Sequence, residues 1–271
     1  KFIQAFDLLM TTMEKKKTSP VKGPVNHQTF DLGKYTKPVQ ERIATLEAAN
    51  FSSRLWLKDP SLWKSNPEAQ EGIRNGLGWL HVAEKMQENL REIDAFRDEV
   101  LKAGFRSVLH MGMGGSSLTP LVLQRVFGYS SGALPLTVLD STDPATILEI
   151  EKTLSVADTL FIVASKSGTT AEPLAFGDYF YQKVKKIKGE RAGENFCVIT
   201  DPGTLLEKQA QERGYRKTFL NFSDIGGRYS ALSYFGLVPS VLMGIDTNEL
   251  LIRALRMLHA CASSVRAQEN T

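Results

Sequence analysis

The chain repeats one local pattern from Phe105 onward, an apolar run of strand length followed by a stretch with helical periodicity. The apolar runs cover residues 107–112, 136–139, 160–164, 195–200 and 217–220. Nearly continuous apolar strands joined by helices are typical of a parallel sheet whose two faces are both covered. The sequence therefore predicts a doubly wound α/β fold, a three-layer αβα sandwich with a five-stranded parallel sheet.

The residues ahead of the sheet follow other patterns. Helical periodicity with short breaks over residues 39–104 predicts a helical lead-in to a sheet domain of residues 105–271. Residues 18–38 contain Ser-Pro and Gly-Pro pairs, which are typical of a linker. Residues 1–17 repeat apolar side chains at three- and four-residue steps, which predicts an amphipathic helix. Because the first residue is a lysine, we expect the chain to be a piece of a longer polypeptide.

Composition argues against several functional classes. Lys plus Arg number 33 and Asp plus Glu number 30, so a net charge of +3 gives no reason to expect a nucleic-acid or membrane partner. No apolar run approaches the ~20 residues of a membrane span. The two cysteines and four histidines lack metal-ligand spacing, so we predict no metal site. The two cysteines also give no disulfide framework, which favours a reducing, cytoplasmic location. His110, inside a strand pattern, is interpreted as a core residue.

In doubly wound sheets the ligand crevice lies beyond the carboxyl ends of the strands, so residues that follow the strands are candidates for function. Three such stretches are residues 112–117, 165–170 and 224–230. The first places glycines and serines at a helix start, where N–H groups and the helix dipole stabilise anions. The second has four hydroxyls and a lysine in six residues, the composition of a phosphate cradle or of an ordinary helix cap. The third carries Arg228 behind two glycines.

Other motifs compete with these stretches. Residues 112–117 with Asp140 approach a dinucleotide-binding fingerprint, but its third glycine is missing. Residues 128–132 match the G-x-S-x-G nucleophile elbow, yet they follow a helical stretch, so we interpret them as a turn. Asp143-Pro144 and Asp201-Pro202 are interpreted as helix starts, because aspartate is a favoured cap and proline a favoured first residue.

The segments Gly114-Gly115-Ser116, 165–170 and 224–236 occur in this order along the chain. Together they resemble the first sugar isomerase (SIS) domain of the glucose-6-phosphate isomerase family, and the third is close to the family signature. The resemblance runs from about Val39 to the end of the chain. Residues 1–10 are separately similar to the closing helix of bacterial transaldolases, which implies a fused transaldolase and isomerase.

The resemblance implies roles for the matching positions. The sugar phosphate would be held by Ser165, Lys166, Ser167 and Thr170, with Gly168 and Thr169 shaping the loop. The sugar would be lined by Gly115 and Ser116. Arg228, with Gly227, would stabilise charge on an enediolate oxygen and is the implied catalytic residue. Glu172 would help to orient a lysine from elsewhere in the polypeptide.

The implied activity is isomerisation of glucose 6-phosphate and fructose 6-phosphate, without a cofactor. In the family the glutamate base and the ring-opening histidine and lysine lie further along the polypeptide, which carries a second SIS domain and typically forms a homodimer. We therefore expect this chain alone to bind sugar phosphate weakly at best and to be inactive. The alternative is a non-catalytic SIS module that senses phosphosugars. Arg228 argues against it, since a sensor has little need to stabilise enediolate charge.

Overall fold

The computed structural model describes residues 30–267, 269 and 270, so the predicted helix of residues 1–17 and the linker residues 18–29 lie outside the described chain. The chain divides into two compact units, Lys1–Leu57 with Arg256–Thr271, and Lys58–Leu255. Residues 36–38, predicted to end the linker, instead open the first helix. Pro38 is tolerated there because the first turn of a helix needs no N–H donor.

The helices that precede the sheet in sequence are α1 (Thr36–Ala48), α2 (Phe51–Trp56), α3 (Pro67–Arg74) and α4 (Val82–Lys102). Asn66 caps α3 by accepting the N–H of Ala69 at 3.0 Å. The face that α4 turns to the core carries Met86, Ile93, Phe96 and Val100, whose spacing of three, four and seven residues is that of one helix face. The apolar periodicity of residues 82–102 thus places α4 against the sheet.

Five strands form one parallel sheet, as the sequence predicted: β1 (Ser107–Gly112), β2 (Leu136–Leu139), β3 (Thr159–Ala164), β4 (Phe196–Thr200) and β5 (Lys217–Leu220). Their order across the sheet is β2-β1-β3-β4-β5. The chain passes from β1 outward to β2 and then returns past β1 to β3, so the direction of winding reverses between β1 and β3. Such a reversal is where doubly wound sheets open a crevice.

The first four strands are each followed by a helix: α5 (Gly115–Phe127), α6 (Pro144–Thr153), α7 (Ala171–Lys188) and α8 (Leu205–Glu212). After β5 come a 3-10 segment (Gly227–Leu232), α9 (Tyr234–Leu242) and α10 (Thr247–Ala260). None of the helices in the described part of the chain has the length and apolarity that crossing a membrane requires.

Successive residues of the central strands face opposite sides of the sheet. In β3, Leu160 and Ile162 join one buried cluster while Phe161 and Val163 join the other. The first cluster is completed by side chains of α4 and α9, and the second by side chains of α7 and α8. Both faces are therefore covered by helices, which confirms the predicted three layers.

The two Asp-Pro pairs behave differently. Asp143 caps α6 by accepting the N–H of Thr146 at 2.8 Å, and this hydrogen bond lowers the pKa of its carboxyl. Asp201 does not begin a helix, so that prediction is wrong. The cap of α8 is Thr204, whose hydroxyl accepts the N–H of Glu207 at 3.2 Å, and the carboxylate of Asp201 is engaged by a lysine from another loop.

Candidate functional site

Two of the predicted stretches leave the sheet side by side. Gly112 ends β1 and Ala164 ends β3, and these residues are partners in the parallel register. Residues 112–117, here called the glycine loop, and residues 165–170, the hydroxyl loop, therefore start next to each other. They flank the point at which the winding reverses, where such sheets bind ligands.

The glycine loop turns sharply into α5. Gly114 has a φ of 55°, a conformation that favours glycine, and no side chain caps α5. The hydroxyl of Ser117 donates to the carbonyl of Gly114 at 3.2 Å. The start of α5 is thus closed by its own short turn and leaves the half-buried Ser116 beside the crevice.

His110, in β1, fixes the position of this loop. Its Nε2 lies 2.7 Å from the carbonyl oxygen of Ser116, and since a carbonyl can only accept, Nε2 carries the proton. The opposite ring nitrogen, Nδ1, is buried and has no hydrogen-bond partner in the described chain. Burial lowers the pKa of His110 to about 4, although the bond to Ser116 opposes this. The predicted core histidine is confirmed as a buried, neutral ring.

The hydroxyl loop gathers its side chains into one network. The hydroxyl of Ser165 donates to Oγ1 of Thr170 at 3.1 Å, and that of Thr169 donates to Oγ of Ser167 at 3.0 Å. Ser165 is buried while Ser167 and Thr169 are exposed, so the network runs from the sheet edge to the surface. Hydroxyl groups that bond to one another can turn toward a ligand without leaving an unpaired buried donor.

The start of α7 adds open donors to this network. Thr170 precedes α7 without capping it, and the backbone N–H groups of Ala171 and Glu172 have no acceptor in the described chain. Those groups and the helix dipole favour an anion at this position. Gly168 has a φ of 63°, and a Cβ on it would lie 2.5 Å from Cβ of Thr204, so only glycine fits this turn.

Lys166 points away from the hydroxyl network toward two neighbours. Its ε-amino group forms an ion pair with Asp201 at the end of β4 and donates to the carbonyl oxygen of Ser223 at 3.0 Å. The backbone N–H of Asp201 also donates to the carbonyl of Lys166 at 3.1 Å. Sequence reasoning missed Asp201 because its pair with proline suggested a cap, although its place after a strand was the signal that identified the other candidates.

Residues 223–230, here called the arginine loop, are held by the segment ahead of α4. Leu77 and Ile225 form an isolated antiparallel bridge, and the N–H of Gly78 donates to the carbonyl of Asp224 at 2.8 Å. A Cβ on Gly78 would lie 2.2 Å from Oδ1 of Asp224, so a larger residue there would require the Asp224 carboxylate to move. Nothing in the local pattern of residues 77–78 indicated this contact.

Side chains reinforce the same attachment. The carboxylate of Asp224 lies 3.0 Å from Nζ of Lys58 and 3.8 Å from Nζ of Lys85. Partial burial raises the pKa of Asp224, but the bond to Lys58 and the two positive charges outweigh it and hold the pKa below its ordinary value. Trp79 stacks on Tyr229 with ring centroids 5.5 Å apart, which braces the loop next to Arg228.

The arginine loop also touches the glycine loop. A Cβ on Gly115 would lie 2.0 Å from the carbonyl oxygen of Gly227, so the two backbones are in direct contact. Arg228 follows this contact; it is exposed, and its side chain makes no hydrogen bond or ion pair within the described residues. Its guanidinium is therefore not engaged by any other described residue.

The tertiary structure thus places the predicted stretches at one edge of the sheet. Gly115 and Ser116 open α5, the hydroxyl loop opens α7, and Gly227 and Arg228 lie in the loop after β5. Glu172 lies in the first turn of α7, and its side chain makes no hydrogen bond or ion pair within the described chain. Among the described residues no three His, Cys, Asp or Glu side chains are grouped so as to hold a metal ion. The arrangement offers anion donors at the hydroxyl loop and an unengaged arginine in the loop that contacts the start of α5.

Comparisons with known proteins identify a family for this chain. Residues 78–269 match the family model described as phosphoglucose isomerase. A glucose-6-phosphate isomerase of Trichormus variabilis is 30% identical over 231 residues, which are 79% of this chain and 40% of that protein. A glucose-6-phosphate isomerase of Thermus thermophilus is 35% identical over 178 residues, which are 66% of this chain and 42% of that protein. The chain therefore spans about 40% of the length of these relatives.

Two solved structures share the fold at comparable identity. A hypothetical protein of Thermus thermophilus superposes with a TM-score of 0.72 and 30% identity, covering 88% of this chain and 53% of that one. A glucose-6-phosphate isomerase of Chlamydia trachomatis superposes with a TM-score of 0.58 and 27% identity, covering 80% of this chain and 39% of that one. Since the family model spans residues 78–269, which include all three loops, the chain belongs to the phosphoglucose isomerase family.

Proposed function

We propose that this chain supplies the phosphate-binding and charge-stabilising part of an enzyme that interconverts glucose 6-phosphate and fructose 6-phosphate. The observation that supports the proposal is that the hydroxyl loop starts beside the glycine loop, which in turn contacts the arginine loop at Gly227, the residue before Arg228. Family membership supports sugar-phosphate isomerisation as the chemistry.

The hydroxyl loop suits a phosphate dianion. Ser165, Ser167, Thr169 and Thr170 offer hydroxyl donors, and the first N–H groups of α7 add backbone donors and a favourable dipole. Anchoring the phosphate adds binding energy far from the reacting carbons. That energy orients C1 and C2 of the sugar for proton transfer.

Arg228 suits the developing charge. Isomerisation removes a proton from C2 of the open-chain aldose and returns one to C1, and the intermediate carries negative charge on an enediolate oxygen. A guanidinium held beside that oxygen lowers the barrier, because its charge is already in place when the anion forms. We assign Gly227 to acting with Arg228 at the enediolate oxygen, Gly115 and Ser116 to the sugar side of the crevice, and Glu172 to orienting a lysine from elsewhere.

The reaction also needs a proton acceptor at C2 and a group that opens the sugar ring. We assign neither to this chain and propose that both come from the further polypeptide present in the longer relatives, including a second SIS domain, within a cytoplasmic homodimer. The chain alone would bind sugar phosphate without turnover. We retain the transaldolase fusion as a hypothesis that rests on residues 1–10, which lie outside the described part of the chain.

The test combines binding with turnover. Titration calorimetry of this chain with glucose 6-phosphate is expected to show binding, and a coupled assay is expected to show no fructose 6-phosphate formed. The complete polypeptide is expected to interconvert the two sugars. Binding without turnover in the complete polypeptide would instead identify a phosphosugar-sensing module, and the absence of binding in both would contradict the phosphate site.

A further inference from the structure

Asp201 lies where the chain leaves β4, between the hydroxyl loop and the end of β5. Only 9% of its surface is exposed. Its N–H bonds the carbonyl of Lys166 and its carboxylate pairs with the ε-amino group of the same residue, so Lys166 is held at both ends. Ser165, the residue before Lys166, donates its N–H to the carbonyl of Ile199 at 3.0 Å. This bond continues the hydrogen bonding between β3 and β4 into the hydroxyl loop.

Lys166 extends this attachment to the arginine loop. Its ε-amino group donates to the carbonyl of Ser223 at 3.0 Å, at the point where that loop begins. Nearby, the N–H of Asn221 donates to the carbonyl of Thr200 at 2.8 Å and fixes the end of β5 against β4. The side chain of Lys166 therefore connects the hydroxyl loop to the arginine loop.

The buried carboxylate of Asp201 depends on Lys166 for its charge compensation. Burial raises the pKa of Asp201 above its ordinary value, even though the bond to Lys166 lowers it, so the carboxylate is poorly solvated. Lys166 is the main group that offsets this cost, with a smaller contribution from Asn221. The charge of Lys166 is consequently neutralised by Asp201, and the hydroxyls and the start of α7 remain as the phosphate donors.

We propose that Asp201 is a positioning residue: it holds Lys166 as a strut between the hydroxyl loop and the arginine loop, so that phosphate binding at the first loop orders the second. The proposal rests on the proposed function for its ligand. It reassigns Lys166 from holding the phosphate to coupling the two loops. Arg228 then becomes ordered when the sugar phosphate is in place.

The strut is tested first without ligand, by hydrogen–deuterium exchange of the chain and its Asp201→Ala and Lys166→Met variants. Amides of residues 223–229 are expected to exchange roughly tenfold faster in both variants, the scale of a lost hydrogen bond to a charged group. Lys166→Met keeps the test valid if Asp201→Ala does not fold. Because 31% of the lysine side chain is exposed, this second substitution is expected to disturb the fold less. Unchanged exchange of residues 223–229 in both variants would overturn the proposal.

Lys183→Met is the matched control. Lys183 pairs with Glu151 at 2.6 Å and is also 31% exposed, but this ion pair joins α6 and α7 away from the three loops. The control is expected to leave the exchange of residues 223–229 as in the wild type. An equal increase in the control would show general loosening and would overturn the specific role of Asp201.

The coupling is tested by adding inorganic phosphate. In the wild type, phosphate is expected to slow exchange in both residues 165–172 and 223–229, whereas in Asp201→Ala and Lys166→Met it slows only residues 165–172. The coupling would be overturned if phosphate still protected residues 223–229 in the variants. It would also be overturned if phosphate protected residues 165–172 of the wild type but not residues 223–229. Protection of neither loop in the wild type would overturn the phosphate site itself, and with it the proposed function.

Discussion

Gly115 and Gly227 bring the glycine loop and the arginine loop into backbone contact: a Cβ on Gly115 would lie 2.0 Å from the carbonyl oxygen of Gly227. A side chain on Gly227 would not clash, because a Cβ at that position has nothing within 4 Å. The contact is therefore asymmetric, and the two glycines carry different constraints.

Gly115→Ala is expected to lower the free energy of unfolding by about 1–3 kcal/mol, because the added methyl group forces the two backbones apart. Urea denaturation measures this change. Gly227→Ala is the matched control and is expected to leave the stability within about 0.5 kcal/mol of the wild type, as for a substitution into open space. Equal stabilities of the two variants would contradict the contact.

His110 is expected to make stability depend on pH. Its folded pKa of about 4 lies below the ordinary 6.5, so the unfolded chain binds more protons below pH 6.5. The stability contributed by the neutral ring is complete above pH 6.5 and is lost as the pH falls toward 4. The free energy of unfolding is expected to drop by about 2 kcal/mol between about pH 7.5 and about pH 5.

Urea denaturation of the wild type and of His110→Gln at several pH values isolates this effect, because subtraction removes the contributions of all other groups. The variant is expected to lose most of the slope, since glutamine does not titrate. The same slope in both proteins would show that the ring of His110 is not the group responsible.

Ser165 and Thr170 are expected to contribute directly to phosphate affinity. Replacing either by alanine should weaken the binding of glucose 6-phosphate by about 1.5–3 kcal/mol, the scale of a hydrogen bond to a charged group. Titration calorimetry measures the change. Thr153→Ala is a suitable control, because the hydroxyl of Thr153 bonds the carbonyl of Ile150 at 2.7 Å near the end of α6, away from the loops. Unaltered affinity in both site variants would remove the hydroxyl loop from the phosphate site.

Arg228→Ala is expected to affect turnover more than binding, since its charge is needed chiefly when the enediolate forms. In the complete polypeptide kcat should fall roughly 100-fold or more, on the scale of a lost charge-stabilising donor, with little change in KM. Arg253→Ala, which removes an exposed arginine paired with Glu249 on α10, should leave both constants unchanged. A change confined to KM would assign Arg228 to ground-state binding.

Sequence periodicity predicted the layers and the strands closely. The fifth strand was expected at residues 217–220 and lies there, because a run of strand length and the breaks on either side of it are local properties of the chain. The same reasoning located the three loops, since parallel strands all end at one edge. It could not predict that the segment at residues 77–79 holds the arginine loop, a contact across nearly 150 residues.

The two Asp-Pro pairs show where local reasoning stops. Both have the same preference for a helix start, yet Asp143 caps α6 whereas Asp201 pairs with Lys166. The difference arises because the order β2-β1-β3-β4-β5 places the end of β4 beside the hydroxyl loop that follows β3. The amino-acid sequence by itself determined the sheet, its covered faces and the chemical character of each loop, because these follow from short-range periodicity and composition. Only the tertiary structure decided which side chains meet, since strand order and register bring together groups that lie far apart along the chain.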